Sequence, residues 1–505
     1  MDDITITHVQ QQGACTGTPS DVLYLTATAT SGSNKLEWVN PSGSYTTTRI
    51  RYRTDTYPTG PTDGTLLADQ AGTAGEYDSL EHMSLSNGTT YYYAAFVYNG
   101  SSYSSGKTVA ARPFDTTGAV KWAYSTGATA LAPPGVNPGA IGAGGVYVVS
   151  NDRNLHATNP SAAGGDWPRA GGYTWGPMAM NGPAQDRPAV VPTALVSGAA
   201  EVAFVGSQDG YVYAADAETG ALLWTSASLG EVVQAAPSAM FTAFGGDYDL
   251  VFAATRNATS ENKVYALNPA TGATLFSFNN NTFGAMGIIS GGVLVDYDTN
   301  RVYFASRAKG GGSSDTVWCL SFTTIPPPGS FTKIWSRPLG DIDGVPVVWN
   351  GRVFVGTNAG VVYCLDAADG STEWSYNTGT STSVKAYLFP TYTATPHRLF
   401  FSTGNRVHCI TDDGGANYTV RWTVTDIPSP STPLFLFGTS YIYVGSSDGR
   451  LYQINITTGA HTSVALTPGV TPAPVVGSPA YDYVNRMVYV GTDTGVMYAV
   501  SVPLP

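Results

Sequence analysis

Short apolar runs broken by Gly, Asn and Ser turns follow one another along the whole chain, and no long stretch carries apolar residues at helical spacing. From about residue 114 the runs become periodic. An apolar strand, a Gly turn and a strand ending aromatic–small–apolar recur as VYVVSNDRNLHATN, VAFVGSQDGYVYAAD, VFAATRNATSENKVYALN and VYFASRAKGGGSSDTVWCLS. The series continues as VFVGTNAGVVYCLD, LFFSTGNRVHCITD, IYVGSSDGRLYQIN and VYVGTDTGVMYAVS. Aligned on an aromatic or His position, the units fall at His156, Tyr213, Tyr265, Trp318, Tyr363, His408, Tyr452 and Tyr498. Their intervals are 57, 52, 53, 45, 45, 44 and 46 residues. A strand-built period near 45 predicts a β-propeller of four-stranded blades, here eight. Trp122, in AVKWAYSTG, has the character of a fourth strand but precedes the first complete unit. Pairing it with the last strand, MYAVSV, closes the ring and removes a free sheet edge.

Residues 22–113 have a different texture. LYLTATATSGSNKLEWVNP, TTRIRYRTD and NGTTYYYAAFVYNGSSYSSGKTVAARP alternate apolar and polar positions between turns, which predicts a separate all-β domain. The division we expect is an extension over 1–18, this domain over 19–113, and the propeller over 114–505.

Composition agrees with many short strands: 43% hydrophobic, 12% charged, 58 Gly and 31 Tyr in 505 residues. No apolar run is long enough for a helix to cross a bilayer. A net charge of −12 excludes nucleic acid and anionic membrane surfaces as natural partners. The opening MDDITITHVQQ lacks the basic start and apolar core of a signal peptide, so we expect a mature or trimmed form of an exported bacterial protein. The four cysteines, Cys15, Cys319, Cys364 and Cys409, include no CxxC pair, and the last three are spaced by 45 residues.

Two resemblances follow from these stretches. Trp38, the Tyr91–Tyr93 run and SSYSSGKTV resemble the early-strand Trp and last two strands of a fibronectin type III domain, which implies a β-sandwich over 19–113. AADAETGALLW (214–224), ALNPATGATLF (266–276) and CLDAADGSTEW (364–374) resemble the tryptophan-docking repeats of eight-bladed pyrroloquinoline-quinone propellers. That resemblance implies that Trp122, Trp224, Phe276, Trp335, Trp374 and Trp422 dock one blade on the next. It also implies, for the family's dehydrogenases, an axial quinone and calcium, a carboxylate base, a stacked Trp and a disulfide between neighbouring cysteines. No two cysteines here are neighbours. Cys319, Cys364 and Cys409 share one register in successive blades, roughly 10 Å apart from sheet packing, too far to bridge. They read as small buried residues in Ala slots.

The innermost strands are expected within EVVQAAPSAM, DIDGVPVVW, SVKAYLF and APVVGSPAYD, which brings Glu231, Asp341, Asp343 and Lys385 toward the channel. DIDG looks like a fragment of a calcium loop but lacks the later Glu, so no metal is expected. His156 and His408 replace Tyr in the repeat and read as packing residues. The loop GGYTWGPMAMNGP offers Tyr173, Trp175, Met178 and Met180 as an apolar binding patch. The N-terminal ITITHVQ, with Ile4, Ile6 and Val9, alternates like a strand that could add to a sheet edge, and Cys15 beside it could form an intermolecular bond. Six N-x-S/T sites, among them Asn87, Asn257 and Asn417, suit surface turns.

The expectation is a non-catalytic extracellular or cell-surface scaffold needing no cofactor, active in adhesion or in an extracellular assembly or filament. Its partner would be a protein or a neighbouring subunit. A quinone- and calcium-dependent dehydrogenase is the alternative, and a glycan-binding propeller the third.

Overall fold

A computed structural model describes residues 17–23, 25–113, 118–128, 133–137, 145–158, 177–192, 196, 199–258, 261–280, 284–310, 314–385, 397–436 and 439–505. Among these residues the chain is all-β, with one short 3-10 turn at Thr242–Phe244. It divides into two compact units, Met1–Ala27 with Gly32–Pro113, and Thr28–Ser31 with Phe114–Pro505.

The first unit holds two antiparallel sheets. One includes Ser33–Val39 and Tyr77–His82 and begins with Leu25–Thr30, whose last three residues count with the second unit; the other runs Thr65–Gln70, Thr47–Arg53, Tyr91–Tyr98, Lys107–Ala111. Alternation along these strands buries Leu36, Trp38, Ile50, Tyr93 and Val97. The Trp38 indole nitrogen donates to Asn40 Oδ1 at 2.9 Å, which satisfies its one polar atom. The expected early-strand Trp and Tyr run are therefore core residues.

The second unit is a β-propeller built from small antiparallel sheets in chain order. We label them A (135–179), B (189–225), C (238–278), D (294–337), E (347–377), F (397–424), G (434–465) and H (480–501). Among the described residues each has four antiparallel strands, save that F shows three and marks its inner position with a single Lys385–Ser402 bridge. Sheet H takes its fourth strand, Val120–Ser125, from the start of the unit; Met497 faces Tyr124 and Ala499 faces Trp122 across the pairing. The expected inner stretches supply inner strands, whose ladders lie at the ends of three of them, Ser238–Met240, Val347–Trp349 and Ala480–Asp482, with single bridges at Lys385 and Val476.

One local device recurs. The third and fourth strands of six sheets slip register by one residue beside a small side chain. That small residue is Ala214, Ala266, Cys319, Cys364, Cys409 or Ala499, and it faces Trp224, Phe276, Trp335, Trp374, Trp422 or Trp122 respectively. A larger side chain would meet the ring, so Cys in an Ala slot has a packing reason.

The ring then reaches the next sheet. Trp224 donates its indole N–H to Pro269 O at 2.8 Å, Trp335 to Ala367 O at 3.0 Å and Trp422 to Ile456 O at 3.0 Å. Trp374 donates instead to Asp412 Oδ1 at 3.0 Å. For Trp224, Trp335 and Trp422 the accepting residue follows an Asp or Asn whose side chain caps the turn, as Asp366 Oδ1 accepts from Ala368 N at 2.6 Å and Asn268 Oδ1 from Ala270 N at 2.8 Å. In these three the turn's Gly lies under the ring. A Cβ on Gly370 would stand 2.6 Å from Trp335, and Gly370 also has φ 75°, so no other residue suits the position. Phe276 sits on Gly329 in the same way but has no N–H to give.

Truncating Trp374 to Ala removes a large, nearly buried ring and should cost about 3–5 kcal/mol. Trp374→Phe keeps most of the packing and loses a hydrogen bond to a carboxylate, costing about 1.5–3 kcal/mol. Denaturant unfolding of the purified chain measures both; equal effects, or none, would contradict the docking geometry.

Candidate functional site

The face to examine is built by turns between second and third strands together with loops that lead into each inner strand. The loop 338–346 enters sheet E, and its two aspartates are committed to neighbouring turns. Asp343 receives Arg307 through two bonds, Nε to Oδ1 at 2.8 Å and Nη2 to Oδ2 at 2.6 Å. Asn358 donates a third at 2.9 Å. Asp341 Oδ1 accepts from Ala308 N at 2.8 Å. Burial opposes the charge on Asp343, but Arg307, Ser290 and Asn358 outweigh it and hold the carboxyl below the usual carboxylate range. Asp341 and Asp343, expected as ligand-binding candidates, thus tie sheet D to sheet E. The partner that decides this, Arg307, lies 36 residues away and carried no signal in the sequence.

Glu231 and Lys385 behave alike. Glu231 accepts from the Asn257 side chain, and Lys385 Nζ donates to Pro430 O at 3.2 Å. Among the described residues, no group of three or more His, Cys, Asp or Glu could hold a metal ion.

The loop expected to carry an apolar patch is corrected in part. Met178 pairs with Leu155 as the outermost strand of sheet A, and both Met178 and Met180 are buried, so neither is open to a partner. Tyr173 and Trp175 lie outside the described residues, as do Ile4, Ile6, Val9 and Cys15.

The repeat's aromatic position has a polar duty that spacing did not reveal. Tyr213 donates to Asp209 Oδ2 at 2.6 Å and Tyr452 to Asp448 Oδ2 at 2.7 Å, each four residues back in the turn. Burial, then the adjacent carboxylate, pushes both phenols up to about 12. His156 takes the same place: Nε2 lies 2.7 Å from Asp152 Oδ2, and Nδ1 lies 2.8 Å from the Tyr124 hydroxyl of the closing strand. Burial opposes the charge on Asp152, yet His156, Ser150 and Asn154 hold the carboxyl well below the usual range. His408 is stacked on Phe401 at 4.8 Å and bonded to Thr403, and burial pushes it down to about 4. Both histidines are internal fasteners.

The three described cysteines are buried free thiols. Burial pushes Cys319 up to about 11 and Cys364 and Cys409 up to about 12, so none supplies a thiolate at neutral pH.

Comparison with known proteins places the repeat in a family. The sequence family described as outer membrane protein assembly factor BamB matches residues 168–317 and 327–502. The chain belongs to that family. BamB from Yersinia pestis is 24% identical over 286 residues, which are 54% of this chain and 64% of that relative's length. The crystal structure of BamB from Moraxella catarrhalis covers 74% of this chain and 96% of its own at 17% identity and a TM-score of 0.48. The computationally designed Ika8 protein covers the same shares at 14% identity and a TM-score of 0.47. Membership establishes the pyrroloquinoline-quinone-like repeat. No helix among the described residues is long and apolar enough to cross a membrane.

The Asp343–Arg307 pair makes a pH prediction. A carboxyl whose folded pKa is depressed contributes stability above its unfolded pKa, and loses that contribution as pH falls through the folded value. Between about pH 5 and pH 3 the unaltered chain should therefore lose more thermal stability than Asp343→Asn. Identical acid profiles would contradict the pairing.

Proposed function

We propose that the second unit is an eight-bladed propeller acting as a non-catalytic recognition scaffold for protein partners in the bacterial envelope or at the cell surface. The first unit, which we read as a fibronectin type III-like domain, serves as its spacer or docking piece. The observation that carries this reading is the state of the loop carboxylates. Asp341 and Asp343 are taken up by Arg307, Asn358 and a backbone N–H, and Glu231 by Asn257. A quinone–calcium pair needs free carboxylates as ligands and base, and these residues do not fit it. Membership in a family described as an outer membrane protein assembly factor supports an interaction role.

Two measurements test this. Adding pyrroloquinoline quinone and calcium to the full chain should give no dye-linked alcohol oxidation; turnover dependent on both would overturn the reading. A photoreactive amino acid at Phe244 or Tyr483, which are 45% and 59% exposed, should give discrete protein adducts in cells. No adduct at these or any other exposed position would count against a protein partner.

A further inference from the structure

In an antiparallel sheet of four strands the first and third turns lie on one side, so these turns gather on the propeller face opposite the one described above. There sheets C and D hold two large apolar side chains out in solvent. Phe244 is 45% exposed at the end of the turn Thr242–Phe244, and Ile325 is 74% exposed in IPPPG, between the last two strands of sheet D. Both turns are fixed. Thr242 N donates to Asp249 Oδ1 at 2.8 Å across the first. Ile325 N donates to Thr323 Oγ1 at 3.1 Å and Gly329 N to Pro326 O at 3.0 Å across the second. The two sheets meet here, since Asn300 Nδ2 donates to Asp247 Oδ2 at 2.6 Å and the Tyr248 and Phe322 rings lie 5.9 Å apart. Apolar side chains already held on rigid turns lose little freedom when a partner covers them.

The charge around them has one sign. Asp247 and Asp298 are exposed, with Asp249 and Asp296 half-buried beside them. Their hydrogen bonds come from neutral groups on Thr242, Asp298, Thr299 and Asn300, which leave the negative charges in place. Among the described residues none of the four forms an ion pair, although Arg301 attracts Asp296 while donating to Ala367 O. The opposite face is balanced. Arg307 neutralises Asp343 there, and Asp152, Asp186 and Asp448 each have an Arg within two positions along the chain. Carboxylates alone would suit any cation, and exposed Phe and Ile alone any apolar surface. Together they select an occupant that is both basic and apolar.

We propose that the turns of sheets C and D on this face dock a partner protein through a basic segment that carries apolar side chains between its Lys or Arg residues. The proposal rests on the scaffold reading and assigns that reading a face and a partner chemistry.

The probe is a short fluorescein-labelled peptide of alternating Lys and Leu, titrated into the full chain and read by anisotropy. Saturable binding that weakens with added salt is expected, and it should be lost when Glu replaces Lys or Ser replaces Leu in the peptide. Asp247→Asn with Asp298→Asn should weaken it about three- to tenfold, the scale of two exposed charge pairs. Asp426→Asn with Asp493→Asn removes the same charge from the opposite face and should change it by less than about twofold. Phe244→Ser with Ile325→Ser should weaken it by at least about tenfold. All six positions are exposed, and thermal melting confirms that each variant is folded. Equal losses from the two Asn pairs, full affinity in the Phe244–Ile325 variant, or no saturable binding would each overturn the proposal. In cells, photoreactive adducts at Val470, on the opposite face, with none at Phe244 or Ile325 would also overturn it while leaving the scaffold reading in place.

Discussion

A tryptophan indole laid on the turn of the next sheet is the contact on which the propeller depends. Where the indole meets a carbonyl, as at Trp224, Trp335 and Trp422, three features agree. The residue opposite the ring must be small, the next turn must carry a Gly under the ring, and an Asp or Asn must fold that turn so that a carbonyl faces the indole. The same acceptor then collects a second donor. Arg301 reaches Ala367 O at 3.0 Å, Arg352 reaches Asp412 Oδ1 at 2.7 Å and Arg398 reaches Ile456 O at 3.3 Å, each beside the Trp of its own sheet. An Arg and a Trp from one sheet thus converge on one oxygen of the next. Because every contact joins consecutive sheets, the ring becomes rigid only when the first and last are also joined, which the strand Val120–Ser125 does.

How much of this was legible depends on whether the signal was local. The turn, the small residue and the aromatic of CLDAADGSTEW lie within eleven residues, so the repeat could be recognised by spacing and Cys364 assigned to an Ala slot. The arginines were invisible. An Arg at the first position of a strand, as in RVYFA or RVFVG, looks like any solvated edge residue until the neighbouring sheet is placed beside it. Asp343 misled for the same reason, since its partner Arg307 belongs to the previous sheet. Met178 looked like a loop residue because a two-residue strand has no periodicity to detect.

The same economy shapes the reading of function. Groups that look like chemistry in the sequence are engaged in the fold: Asp343 ties two sheets through Arg307, His156 joins Asp152 to the closing strand, His408 packs within its own sheet, and the thiols are buried. What the described residues leave open to a partner is the outer surface, where Phe244 and Tyr483 stand exposed.

The most direct test of the docking account is a double-mutant cycle between Trp335→Phe and Asp366→Ala, with stability read by denaturant unfolding. Asp366 Oδ1 accepts from Ala368 N and so shapes the turn that presents Ala367 O to the indole. If that is how the sheets are joined, the double variant should be less destabilised than the sum of the singles, with a coupling of about 1 kcal/mol. Strict additivity would show that ring and turn act independently and would contradict the account.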